Sequence, residues 1–381
     1  MAYMDYNATT PLAAEAREAM LPWLGEGFGN PSSIHAEGRL ARAAVDDARE
    51  CIAALLGARP HEIVFTSGGT ESCNLGVLGL ARAARRHGRH IITQKTEHHA
   101  VLHACGQLAG EGFDVTWLEV DTDGLVDPGA LEAAIRPDTI LVSVMHANNE
   151  TGTIQPVEEL ARVCATHGIA FHTDAIQSFG KLPVSLEAGF TAASFAAHKF
   201  YGPKGAGFLW VRSGHSIERI GHGGSHENAR RPGTENVPAI VGMAVAAEMA
   251  SASMESEARR LAPMREDLWE KIANIAPDAV RNGSPATTLP NTLSVSFPGC
   301  DGEALIIGLD LEGISVSSGS ACMVGTMQAS HVVLAMGADA RTAAATVRFS
   351  LGRRTTDNDI AACAAALEKT LARQPRKIHA R

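Results

Sequence analysis

No Cys-x-x-Cys pair occurs among the seven cysteines of this 381-residue chain, and their odd number leaves no complete disulfide framework. In a reducing cytosol, Cys51, Cys73, Cys105, Cys164, Cys300 and Cys363 then read as small hydrophobes rather than bridges. A basic stripe is also missing: 33 Lys and Arg face 42 Asp and Glu, for a net charge of −9. That balance excludes a nucleic-acid binder. The nearest basic cluster, Arg82, Arg85, Arg86, His87 and Arg89, reads as a solvated helix end. The N-terminus, Met1-Ala2-Tyr3-Met4-Asp5, has no cationic stretch ahead of an apolar core, so no signal peptide is expected. The longest apolar run, around residues 237–250, is interrupted by Pro238 and Glu248 and reads as too short for a bilayer. Low-complexity blocks and internal repeats are absent and only 20% of residues are charged, which excludes a disordered chain. These absences leave a cytoplasmic globular protein with no membrane or nucleic-acid partner.

What is present is 45% hydrophobic sequence, enough for a substantial core. Apolar runs at residues 63–66, 90–94, 115–120, 139–145, 169–173, 193–196 and 207–212 alternate with helical patterns such as 38–56 and 157–166. That alternation predicts an α/β domain with a mostly parallel, seven-stranded sheet covered on both faces. After residue 250 the pattern changes to a long helix over 251–275, strands near 292–297, 314–317 and 346–351, and helices at 302–311 and 330–335. A last helix opens at Thr356 with Asp359 in capping-box spacing. The expected organisation is a large domain over 15–255 and a smaller α+β domain built from 1–14 and 256–381.

Three strand ends carry chemistry. Thr66-Ser67-Gly68-Gly69-Thr70-Glu71 is a strand, two glycines and a helix start, where free backbone N–H groups and the helix dipole suit a phosphate. By itself the loop is equally a plain strand-to-helix turn. Asp174, in Phe171-His172-Thr173-Asp174-Ala175-Ile176-Gln177, ends a hydrophobic strand, where open α/β sheets place ligands. A carboxylate there needs a partner, and a pyridinium nitrogen is one, which keeps such a ring an electron sink. Gln177 could reach the ring's phenolic oxygen. Lys199, in Ala196-Ala197-His198-Lys199-Phe200-Tyr201-Gly202, sits at a third strand end, where partial burial lowers a lysine's pKa as Schiff-base chemistry requires. His198 can meet a phosphate. The order of phosphate loop, Asp and Lys predicts a pyridoxal phosphate enzyme with the cofactor on Lys199.

Further residues fit this reading. His98 follows a strand and could stack on the ring and move protons. His98, His99 and His103 do not share the spacing of a metal site, and no intrinsic metal is expected. Asn148 and Asn149 follow a buried strand and could touch cofactor or substrate. Arg348 is a charge on an apolar strand and suits a substrate carboxylate. Cys322 lies in Ser317-Ser318-Gly319-Ser320-Ala321-Cys322, a small, polar stretch suited to a nucleophilic cysteine.

Together these residues resemble the cysteine desulfurases of the NifS/IscS type, a branch of the class V aminotransferases within the fold type I pyridoxal phosphate enzymes. The likeness extends to Asp5-Tyr6-Asn7-Ala8-Thr9-Thr10-Pro11, Phe28-Gly29-Asn30-Pro31-Ser32-Ser33, Asn148-Asn149-Glu150-Thr151-Gly152, residues 230–236 and Arg348-Phe349-Ser350-Leu351-Gly352. The resemblance implies that Lys199 carries the cofactor and shuttles protons, Asp174 pairs with the ring nitrogen, and His98 stacks on the ring and acts as acid–base. Gln177 and Asn149 bind polar atoms of cofactor or substrate. Gly69, Thr70, Ala196, Ala197 and His198 hold the phosphate end, with Thr234 reaching it from the partner of a homodimer. Arg348 binds the carboxylate of L-cysteine. Cys322 takes the sulfur as a persulfide, releases alanine and passes sulfur to an iron–sulfur scaffold or another acceptor protein, with Cys322 a candidate for a transient iron–sulfur cluster. A selenocysteine lyase, an ordinary class V aminotransferase and a non-catalytic binding protein are the alternatives. Ala196 departs from the family, whose members often have Ser there, and a modestly weaker cofactor grip is expected. The end of the chain lacks the acidic, aromatic tail of some housekeeping members, and residues 233–236 and 146–156 look closer to nitrogen-fixation members.

Overall fold

The computed structural model describes residues 1–187, 189–318 and 329–374. Seven strands form one sheet in the order Ile63–Thr66, Gly207–Val211, Ala192–Ala196, Ala170–Asp174, Thr139–Ser143, His90–Gln94, Asp114–Leu118. Six of the seven run in the same direction; Gly207–Val211, between Ile63–Thr66 and Ala192–Ala196, is antiparallel to both its neighbours. All but Asp114–Leu118 are buried nearly throughout, which is why they read as short continuous apolar runs rather than alternating ones. One face carries a core that includes Val45, Ile52, Phe171, Phe195 and Met243. The other is covered by a second core around Leu75, Leu80, Val101 and Leu108. This is the mostly parallel, doubly covered α/β sheet expected of fold type I.

The long helix is Val237–Ile275, 39 residues, opened by Asn236, whose side chain accepts from the Ala239 N–H, and by Pro238 in the first turn. It absorbs the apolar run that the sequence reading treats as too short for a bilayer. That reading is corrected: by length and composition the helix could cross a membrane, but half of its apolar window is buried inside the protein. Its first half packs on the helices Ala14–Leu24 and Ala36–Leu55.

A four-stranded sheet orders Ser317–Ser318, Thr346–Ser350, Thr292–Ser296 and Val280–Arg281, all antiparallel. Its own core holds Leu293, Val347, Phe349, Leu305 and Leu367. The N-terminus joins this part: Ala2–Tyr3 pairs with Ile314–Ser315, Asp5 bridges to Ser350, and Met4 is fully buried in that core. The capping box at Thr356 and Asp359 is present, with Thr356 Oγ1 accepting from the Asp359 N–H at 3.3 Å. From the Asp5 bridge the chain crosses to the large sheet, and that crossing builds the site.

Candidate active site

Lys199 ends a short turn after the Ala192–Ala196 strand. The turn is clamped from above by the N-terminal segment. Thr10 donates its backbone N–H and its hydroxyl to the His198 carbonyl, at 2.9 and 3.0 Å. Thr10 Oγ1 in turn accepts from the Tyr201 N–H at 2.8 Å. Tyr201 has φ 69°, a left-handed conformation uncommon for a residue with a β-carbon. It is held there by Thr10, by the Arg353 N–H donating to its hydroxyl at 2.8 Å, and by the Arg353 guanidinium 4.3 Å over its ring. The Lys199 ammonium donates to the Asn7 carbonyl at 2.6 Å and the Ala8 carbonyl at 2.8 Å. Burial, then the Arg348 charge, pushes its pKa down to about 8, against the pull of Asp5 and Asp174.

Asp174 closes the Ala170–Asp174 strand and is 3% exposed. One oxygen accepts from the Ile176 N–H at 2.9 Å; the other has the Cys73 thiol at 3.4 Å, a weak donor. Burial pushes its pKa up to about 6. A buried carboxylate held by one amide and one thiol, with no cation in contact among the described residues, is suited to a protonated ring nitrogen. Glu97 lies in the same region, pushed up to about 8 by burial and then by Asp174, and its Oε2 has no partner.

His98 caps the helix His99–Gly110: its Nδ1 accepts from the Ala100 N–H at 3.1 Å. Burial, reinforced by Lys199, pushes its pKa down to about 4. The ring is therefore neutral near pH 7, with Nδ1 committed as acceptor and the proton on Nε2. A neutral ring of this kind is able to stack on an aromatic ligand without adding charge and to handle protons through Nε2.

The phosphate end is built by glycines. Thr66 and Ala196 both register against Gly207, which lies between their strands. A β-carbon on Gly207 would meet the Gly68 Cα at 2.8 Å, and Gly68 itself has φ 152° with open space at its missing side chain. The first-turn N–H groups of the helix Gly69–Ala84 have no intrahelical acceptors and open beside these glycines. Glu71, in the same turn, is drawn aside by Arg231 at 2.8 Å. Ala196 and Ala197 are buried, Thr70 is exposed, and His198 Nδ1 lies 3.2 Å from Thr9 Oγ1. Burial, then Lys199, pushes the His198 pKa down to about 4. The carboxylate, the amine and the anion cradle fit pyridoxal phosphate.

Other predicted residues have protein partners that sequence reasoning missed. Gln177 donates to the Asn7 carbonyl at 2.9 Å and accepts from Lys181 at 2.8 Å. Arg348 is 5% exposed and pairs with Asp5 at 2.8 Å; it also donates to the Asn149 carbonyl at 2.8 Å, while its Nε is buried without a partner. Lys181 had no role in the sequence reading, yet burial pushes its ammonium down to about 7, aided by Lys199 and Arg348. Asn7 was quoted only as part of a motif. Thr234 is exposed, three residues beyond Arg231. Among the described residues no group of three His, Cys, Asp or Glu side chains is arranged to hold a metal. Cys322 lies outside the described residues.

The depressed Lys199 pKa gives a pH dependence. A lysine amine is nucleophilic only when neutral, and a pKa lowered to about 8 makes it neutral above that pH rather than above about 10.4. The rate at which the apoprotein takes up pyridoxal phosphate, followed by absorbance, should rise with pH through a midpoint near 8. A midpoint near 10 would show that Lys199 is as solvated as a surface lysine.

The class V aminotransferase family model matches residues 2–363. The cysteine desulfurase IscS of Dictyoglomus turgidum is 49% identical over 94% of this chain and 91% of its own length. That of Methanosarcina thermophila is 46% identical over 94% and 89%. A solved NifS-like protein superposes with a TM-score of 0.92 at 39% identity, covering 97% of this chain and 99% of the other. SspA in complex with cysteine gives a TM-score of 0.81 at 40% identity, over 92% and 99%.

Proposed function

Because this chain belongs to the class V aminotransferases, and among them to the cysteine desulfurases of the NifS/IscS type, we propose that it converts L-cysteine to L-alanine and a Cys322 persulfide that supplies iron–sulfur cluster assembly. The observation that carries this reading is the convergence of Lys199, its pKa lowered to about 8, with the buried carboxylate of Asp174, which no cation contacts among the described residues, and the neutral ring of His98. Lys199 would carry pyridoxal phosphate, Asp174 would hold its ring nitrogen and the Gly68–Gly69 loop its phosphate, and the bound group would supply an electron sink for the bonds at the substrate's α- and β-carbons.

The chain's own residues do the rest. Lys199, as a neutral amine, would take and return protons at the substrate's α-carbon. Arg348 receives the carboxylate, using the unpartnered Nε and the edge now bound to Asp5. Asn149 borders that position through its backbone carbonyl. The strand Ser317–Ser318 registers directly beside Arg348, and Cys322 follows Ser318 by four residues, a tether of at most about 14 Å. The Cys322 thiolate attacks the substrate's sulfur. The carbon–sulfur bond breaks, its electron pair goes to the β-carbon, and a proton there completes alanine. The sulfur stays on Cys322 as a persulfide until an acceptor or a thiol reductant removes it.

Two finer readings belong to this proposal. The domain boundaries at 14/15 and 255/256 put Lys199 and Cys322 on different units, joined through the Asn7 segment. A homodimer, with Thr234 serving the second copy's phosphate end, is supported by the exposure of that residue.

The test is chemical: with L-cysteine and a thiol reductant, the holoenzyme should release alanine and sulfide in equal amounts. 3-Mercaptopyruvate as the main carbon product would reject the reading in favour of transamination. The phosphate end gives a smaller prediction. Ala196 is 1% exposed and lies 3.3 Å from where a Gly69 β-carbon would be, so a hydroxyl there would face the cradle. Ala196→Ser should tighten the cofactor roughly tenfold in a dialysis titration, one added hydrogen bond to a charged group being worth about 1.5 kcal/mol. An unchanged affinity would show that the missing hydroxyl is immaterial.

A further inference from the structure

Lys181 has no part in the mechanism above, yet its ammonium is hydrogen-bonded to two side chains of the site. It donates to Gln177 Oε1 at 2.8 Å and to Asn7 Oδ1 at 3.2 Å. Asn7 cannot turn to accommodate it otherwise. Its Oδ1 also accepts from Asn291 Nδ2 at 3.1 Å, and its Nδ2 donates to Thr292 Oγ1 at 2.9 Å. Below its pKa of about 7 Lys181 is an ammonium, which donates and never accepts. The end of the Gln177 amide that meets Lys181 must therefore be the oxygen. The NH2 group then lies on the other end, where it donates to the Asn7 carbonyl at 2.9 Å. Lys199 donates to that same carbonyl. Gln177 thus faces the Lys199 side as a donor.

We propose that Lys181 is a positioning residue that locks the Gln177 amide donor-first toward the cofactor, so that the site selects an ionised oxygen on the ring beside Lys199. The inference rests on pyridoxal phosphate being bound at Lys199. Without Lys181 only the Asn7 carbonyl opposes the reversed orientation, and the amide can turn over and present its oxygen, which repels an oxygen anion. A donor at that oxygen stabilises its ionised form and so lowers the pH at which the neighbouring Schiff base gives up its proton.

The readout is the pH midpoint of the holoenzyme's visible absorption band, measured without substrate. Lys181→Met and Gln177→Leu should each raise the midpoint by about one pH unit, a tenfold change in proton affinity. The double variant should raise it no further than either single one, because Lys181 acts through Gln177. A midpoint unmoved by Lys181→Met overturns the proposal. So do additive shifts in the double variant, which would mean that the lysine acts on the cofactor as an independent charge. If Lys181→Met does not fold, Lys181→Arg replaces it: a guanidinium also only donates, so the native midpoint is expected, and a rise to the Gln177→Leu value overturns the proposal. Native protein lacking the absorption band altogether would instead refute cofactor binding at Lys199, so the two failures are distinct.

Discussion

Lys199→Ala is expected to abolish turnover and to leave any bound pyridoxal phosphate as a free aldehyde, without the absorption band of a lysine adduct. The loss combines two roles. The variant has no amine to hold the cofactor covalently, and none to move the α-proton. Removal of a positioned acid–base group alone typically costs 10²–10⁴-fold. Losing the covalent route as well should bring the total to on the order of 10⁴-fold or more. The effect should not be structural: the ammonium's partners are two backbone carbonyls, of Asn7 and Ala8, and the clamp from Thr10 to the turn does not use the side chain. Apoprotein of the variant should therefore melt close to native apoprotein. More than a tenth of native alanine production by Lys199→Ala would show that another amine does the work, and Lys181 would be the first to examine.

Cys322→Ala should be nearly as damaging by a different route. The cofactor band, and its change when L-cysteine is added, should persist, because Lys199, Asp174, His98 and the Gly68–Gly69 loop are all retained. Alanine and sulfide should both fall by on the order of 10³-fold, since without a thiolate there is nothing to accept the substrate's sulfur. This variant also separates readings. A transaminase would keep its rate. A selenocysteine lyase would show a large native preference for selenocysteine over cysteine.

The core and the strand-end residues were legible because their causes are local. Parallel strands buried on both faces leave short unbroken apolar runs, and Asp174, His98 and Lys199 stand at or just past their ends. The antiparallel course of Gly207–Val211 was not legible, since a buried strand reads the same in either direction. Nor was the true extent of the Val237–Ile275 helix, whose apolar half owes its composition to the helices that cover it. The least legible feature was the network around Gln177. Its partners are Lys181, a turn away, and Asn7, separated by 170 residues in sequence. Asn7 reaches the site only because Ala2–Tyr3 and Asp5 are tied to strands near the other end of the chain. Arg348 shows the same limit: its charge on an apolar strand announced an anion, but the one it holds here is Asp5.

The most direct measurement is a single turnover without reductant. Holoenzyme given one equivalent of L-cysteine per bound cofactor, so that no excess thiol is left to discharge the persulfide, should release one alanine per bound cofactor. Digestion and mass spectrometry should find one added sulfur atom on the peptide carrying Cys322 and on no other cysteine peptide. Alanine release with Cys322 unmodified, or sulfur found on a different cysteine, would contradict the account.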